Sequence, residues 1–111
     1  MKPNEHRYRV YVIELDPEGL GDCGKGAVYV GETSLSPEER FAKHKSGTKA
    51  ARVVTRRGLR LRPDLSPAEV FETRGQALRA ERRTANRLTH QGYRVWGGQG
   101  RRFMESAKSR K

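Results

Sequence analysis

Cysteine is nearly absent from this chain of 111 residues: Cys23 stands alone, which excludes an internal disulfide and any cysteine-rich zinc site. Long apolar runs are missing too. No stretch approaches the roughly 20 apolar residues that cross a bilayer. The opening Met1-Lys2-Pro3-Asn4-Glu5-His6 lacks the apolar centre of a signal peptide. Core-forming residues are scarce as well. Leu, Ile, Val and Phe together number 20 of the 111 residues, near the compositional border of disorder for a chain of this charge. A small core is therefore expected, and patterning alone has to show that the chain folds. One domain is expected at this length, in a soluble, reducing, cytoplasmic setting.

Acid is scarce in one part of the chain only. Residues 1–39 hold 4 basic and 8 acidic side chains, whereas residues 40–111 hold 20 basic and 5 acidic. From Arg40 to Arg62 there are nine Lys/Arg and no Asp or Glu. A field of one sign over part of a small protein attracts polyanions. Arg outnumbers Lys 17 to 7, which favours planar, bidentate grips on phosphate. These features predict a nucleic-acid partner, with Lys43, Lys45, Lys49, Arg52, Arg56 and Arg57 as candidate contacts. Arg82, Arg83 and Arg87 offer an alternative face. The plain alternatives are a solvated basic surface and a ribosomal-type protein. A membrane is not the expected partner, because no basic stretch carries a strong face of Trp, Phe and Leu.

Arg7 to Leu15 reads as a strand with Tyr8, Val10 and Val12 on one face and Tyr11, Ile13 and Leu15 on the other. With both faces apolar, an interior strand is expected. Residues 16–26, with four glycines and a proline, form a loop. Ala27 to Glu32 supplies a second strand, the antiparallel partner of the first. Its Gly31 leaves room for a ligand or another backbone. Ser36, Pro37 and Glu39 are the N-cap, first residue and capping-box partner of a helix running to Ser46, where Gly47 stops it. Ala50 to Arg57 predicts a short helix closed by Gly58. Leu59 to Arg62 predicts a third strand, and Val70 to Glu72 is a weaker candidate. A long helix opens at Thr73, with Gln76 completing a second capping box, and ends at Gly92. Tyr93 to Trp96 suits an edge strand or a packed tail. The expected fold is α+β, a small antiparallel sheet of about three strands flanked by helices, over residues 1–99. Residues 100–111 read as a basic, frayed tail.

On the long helix, Leu78, Glu81, Ala85 and Leu88 recur at spacings of 3, 4 and 3, one face of an α-helix. Glu81 thus sits inside an apolar stripe. A buried carboxylate needs a cation. Two readings stay open: a salt bridge to one of the many arginines, or a metal ligand or acid/base group. On the capped helix, Arg40 and His44 lie one turn apart beside Phe41, the expected anchor to the core. An arginine so placed suits stabilisation of developing charge, while His44 alone reads equally as solvent-facing. Tyr11 and Tyr29 each sit within a strand of the hairpin, where tyrosines are usually core with a polar tip.

Together, Arg9-Val10-Tyr11, Tyr29-Val30-Gly31, the capped helix with Arg40 and the later helix with Glu81 resemble the GIY-YIG nuclease family over roughly residues 7–92. The stretch VYVGETSLSPEERFAKHKSG, Val28 to Gly47, is similar to small stand-alone members, and QALRAERR resembles the family's glutamate helix. The resemblance implies a small α+β nuclease that cuts phosphodiester bonds of DNA, RNA not being excluded, with one divalent cation, usually Mg²⁺, alternatively Mn²⁺. Under it, Tyr11 positions or deprotonates the attacking water, Tyr29 is the second tyrosine, and Gly31 closes the second tripeptide. Arg40 is the helix arginine and Glu81 the metal-binding glutamate, with His44 and Gly31 as accessory residues. Two departures accompany the match: Arg9 replaces the opening glycine of the first tripeptide, and the loop between the tripeptides is long. For the family's late asparagine, Asn86 and Gln99 are the candidates, and neither falls in the family position. Structure-selective or weakly sequence-selective cutting is expected, since no further recognition domain is attached. The alternative is a non-catalytic nucleic-acid-binding module on the same scaffold.

Overall fold

The computed structural model describes residues 7–47 and 51–97; Lys49, Gln99 and the expected tail at 100–111 lie outside the described residues. Seven elements follow in order: β1 (Arg9–Leu15), β2 (Gly26–Thr33), α1 (Pro37–Ser46), α2 (Arg52–Arg57), β3 (Gly58–Leu61), α3 (Arg74–His90) and β4 (Tyr93–Gly97). The strands make one sheet in the order β3-β1-β2-β4. β1 pairs antiparallel with both β2 and β3, and β4 runs parallel to β2. The sheet is therefore mixed and four-stranded, one strand more than expected. The extra strand, Tyr93 to Gly97, is an edge strand reached through α3, the helical crossover that a parallel pairing requires. Val70 to Glu72 does not form a strand; Phe71 makes a single bridge to Tyr8.

β1 is interior, as its two apolar faces require. Val10 and Val12 join Val28, Val30 and Val95 against Ala80, Ala85 and Leu88 of α3. Tyr11, Ile13 and Leu15 join Ala27 and Tyr29 on the other face, beneath Phe41 of α1 and Val54 of α2. The sheet thus divides two small cores rather than capping one, which is how so few aliphatic residues suffice. The buried face of α3 is Ala77, Ala80, Glu81, Thr84, Ala85 and Leu88. Leu78 lies at its margin, half-buried, because the small alanines let the helix sit close to the sheet.

Both capping boxes form. Ser36 and Glu39 close the first turn of α1, and Thr73 and Gln76 that of α3. Gly47 takes the left-handed conformation that ends α1, at φ 88°. α3 is capped one residue before the expected position, at Gln91, with Gly92 beyond it at φ 107°. α2 begins at Arg52 and is followed directly by β3. Gly58 at that junction is extended, and its hydrogen makes room: a Cβ there would stand 2.7 Å from the Val54 carbonyl oxygen.

Candidate active site

The β1–β2 ladder sets Tyr11 opposite Gly31 and Ile13 opposite Tyr29, so the two tyrosines are diagonal neighbours on one face. Their ring centroids are 6.2 Å apart. Gly31 is small for a definite reason. A Cβ at that position would lie 2.5 Å from the Tyr11 hydroxyl oxygen and 2.6 Å from Cζ. The neighbour that Gly31 accommodates is therefore the Tyr11 side chain.

α1 crosses this face and aims Arg40 and His44 at it. His44, not Phe41, is the fully buried anchor of the helix, which disposes of the solvent-facing reading. Its ring packs 5.5 Å from that of Tyr29 and 6.0 Å from that of Tyr11. His44 Nε2 lies 2.9 Å from the Tyr11 hydroxyl, and the Ala51 N–H donates to His44 Nδ1 at 3.3 Å. Because Nδ1 accepts, a neutral ring carries its proton on Nε2, and that N–H donates to Tyr11. Burial, with Arg40 adding repulsion, pulls the His44 pKa down to about 4, so the neutral form is the one present at neutral pH.

Burial is also the main influence on the tyrosines. It drives the Tyr11 hydroxyl well above its ordinary pKa, with Tyr29 and Glu81 adding to the rise, while a hydrogen bond and positive charge from Arg40 oppose it. Tyr29 is pushed up to about 12, by burial first and then by Glu81. Both are phenols at neutral pH in the ligand-free protein. The Tyr11 oxygen has donors from two sides, His44 and Arg40, and such donors favour the ionised form once burial is offset.

Glu81 comes from α3 on the opposite face of the sheet and is 1 % exposed. The described pairing of β4 with β2 ends at Val30–Gly97, and Glu81 lines the space over the next residue, Gly31. Tyr11, Tyr29, Gly31, Arg40 and Glu81 all line one polar cavity of about 220 Å³, with Glu32, Arg74 and Leu78. All four residues singled out for chemistry are thus brought together from β1, β2, α1 and α3.

Glu32 and Arg74 escaped the sequence reading. Arg74 Nε donates to Glu32 Oε2 at 3.1 Å, and this pair stands where the cavity opens into a larger one of about 650 Å³ lined also by Tyr8, Arg40 and Lys43. One signal for Arg74 was available: it precedes Glu81 by seven residues, two helical turns on the same side. Among the described residues, no three of His, Cys, Asp and Glu gather into a metal cage. One or two carboxylates at an open cavity suit Mg²⁺, which keeps most of its waters, rather than zinc.

The basic segment divides into two groups. Arg57 donates to the Asp16 and Glu18 carbonyls. Lys45 Nζ donates to the Gly58 carbonyl at 2.9 Å, Arg60 pairs with Glu14, and Arg62 pairs with Asp64. Lys43 lines the larger cavity, and Arg52 and Arg56 are exposed on α2. Asn86 lies away from the site, in a separate hollow of about 580 Å³ with Leu78, Arg79, Arg82 and Arg83. A family model, the GIY-YIG catalytic domain, matches residues 8–94. The chain belongs to the GIY-YIG family. No curated protein and no solved structure matches it. The GIY-YIG domain is a nuclease fold, and no helix among the described residues is long and apolar enough to cross a membrane.

Proposed function

We propose that this GIY-YIG protein is a divalent-metal-dependent endonuclease that hydrolyses phosphodiester bonds of DNA, selecting by structure or only weakly by sequence. The observation that carries this reading is the convergence of Tyr11, Tyr29, Arg40 and Glu81 on one polar cavity. Glu81, with Glu32 beside it, would hold a hydrated Mg²⁺ or Mn²⁺. The cation would serve as Lewis acid and template. Arg40 neutralises charge on the phosphoryl oxygens as it develops. Tyr11 orients the attacking water; after releasing its own proton to solvent it takes the water's proton as a phenolate, the form that the His44 N–H and Arg40 both favour. Tyr29 supports Tyr11 and closes the cavity wall. Arg74 suits a second phosphate grip, since Glu32 engages its Nε and the two Nη groups can together grip a phosphate. Lys43, Arg52 and Arg56 extend the cationic path.

Glu81→Gln tests the reading. It keeps shape and removes the charge that holds a cation. Mg²⁺-dependent cleavage of branched DNA should fall by orders of magnitude, while metal-free DNA binding persists or tightens because a negative charge facing phosphate is gone. If Glu81 is instead the structural partner of a buried arginine, the same change costs roughly 3–5 kcal/mol of stability. A variant that melts much lower yet cuts normally per folded molecule refutes the metal-ligand role. DNA binding with no cleavage by the wild type under any divalent cation would leave only the non-catalytic module.

A further inference from the structure

A second cavity, of about 260 Å³, also borders Tyr11, between the start of α1 and the loop after β3. Pro37, Leu61, Pro63 and Pro67 give it apolar walls, and Tyr11 is the wall it shares with the polar cavity. Glu38, Glu69 and Arg9 supply its charged groups. Arg9 is the residue by which the first tripeptide departs from the family pattern.

We propose that this cavity receives one unpaired nucleobase bearing an exocyclic amino group, from the nucleotide adjoining the phosphate held over Tyr11. The inference rests on the endonuclease reading and gives its structure selectivity a physical source. Three features carry it. The shared Tyr11 wall puts the cavity within one nucleotide of the reacting phosphate. Its volume falls just below the range of about 300–1,000 Å³ that holds drug-sized ligands, and flat proline and tyrosine surfaces suit one stacked ring. Its two carboxylates outnumber its one cation, Arg9: Glu38 and Glu69 disfavour the backbone, and a carboxylate accepts from a base amino group as it does from cytosine N4. A base can enter only after leaving its stack, at a cost that is least where it is already unpaired. Duplexes with a flap, loop or mismatch at the cleavage point are therefore the favoured substrates.

The test uses the full chain with Mg²⁺ and a flapped duplex carrying, at the unpaired position beside the cut, cytosine, thymine or an abasic site. The wild type should cut the cytosine substrate about tenfold faster than the abasic one, with thymine between, the loss expected for an unmade base contact. Ala68→Trp, on the exposed loop wall, should bring the cytosine-to-abasic rate ratio close to one. Equal wild-type rates on all three substrates, or an unchanged ratio in Ala68→Trp, overturns the proposal. A second measurement needs no cleavage: in metal-free protein, a short single strand containing unpaired cytosine should shift the NMR signals of Ser66, Ala68 and Glu69, and its abasic analogue should not. Shifts without any cleavage would sink the endonuclease reading and leave the base pocket standing. Cleavage without base dependence or shifts would do the reverse.

Discussion

Acidification should destabilise this protein through His44, and the effect can be worked from the structure. The ring is fully buried, its Nδ1 accepts from the Ala51 N–H, and its Nε2 faces the Tyr11 hydroxyl. Protonation turns Nδ1 into a donor, so two N–H groups then point at each other in the interior. The folded-state pKa of about 4 lies below the ordinary His value, burial being the main cause. The sign follows directly. The unfolded chain binds a proton near pH 6.5 and the folded chain resists until about pH 4, so stability is fully present above about pH 6.5 and is lost as pH falls through that window. Between pH 7 and pH 5 the loss is about 2 kcal/mol, a large share of a small domain's stability. In urea that corresponds to a midpoint lower by about 1 M. The assay is urea denaturation at pH 5, 6 and 7 on the wild type and on His44→Gln, whose amide has nothing to titrate. The variant should be less stable at pH 7 but should lose much less on acidification. Titrating groups elsewhere are common to both proteins and cancel in the comparison. Parallel losses in the two would refute the placement of a neutral, buried imidazole under Tyr11.

Gly31→Ala should put a methyl carbon 2.5 Å from the Tyr11 hydroxyl oxygen; the displaced phenol should cost about 1–3 kcal/mol of stability, and cleavage per folded molecule should fall by at least about tenfold, measured by melts and kinetics on one preparation. Arg56→Ala should leave the melting temperature within error, whereas Arg57→Ala should lower it, because Arg57 holds the carbonyls of Asp16 and Glu18; equal melts would contradict that contact. Arg52→Ala with Arg56→Ala should flatten the slope of log K against log salt by up to about two units on duplex DNA, and an unchanged slope would move the binding face to Arg79, Arg82 and Arg83. Because the Tyr11 pKa is raised, the cleavage rate should climb with pH from 7 to 9 and Tyr11→Phe should abolish the climb; a flat profile would remove Tyr11 as the proton acceptor.

Elements with local signatures were legible in the chain. Ser36-Pro37 with Glu39, and Thr73 with Gln76, are complete within four residues, and both helices start where those residues say. β1 declares itself interior because both of its faces are apolar over seven residues. What was not legible depends on partners distant in sequence. Tyr93 to Trp96 suits an edge strand, but its parallel pairing to β2 reaches across α1, α2, β3 and α3. Val70 to Glu72 has the composition of a strand but meets only Tyr8. His44 reads as surface because its neighbours Lys43 and Lys45 are charged and exposed. Only the sheet beneath α1 makes the position interior. Sequence counted nine cations without an acid from Arg40 to Arg62, yet the acids and carbonyls that take up Arg57, Arg60 and Arg62 come largely from the acidic first third, Glu14 to Glu18. The charge asymmetry along the chain is therefore partly neutralised in space.

That neutralisation bears on where the remaining charge can act. The arginines that close the fold face the β3 edge and the loop after β1, away from the cavity. Those bordering the cavity are few: Arg40, whose partner includes Tyr11, and Arg74, held at its rim by Glu32. Tyr11 itself is seated against the Gly31 backbone and against the ring of His44, which the Ala51 N–H holds in turn. Arg40 adds a hydrogen bond of its own to the same oxygen. A hydroxyl seated in this way is pre-positioned, which is the condition for a group to act in a reaction. The apolar cavity beside it, with Pro37 and Pro67 in its walls, suits a flat ring better than a phosphate. The same phenol that would activate water thus also divides the space for the backbone from the space for a base.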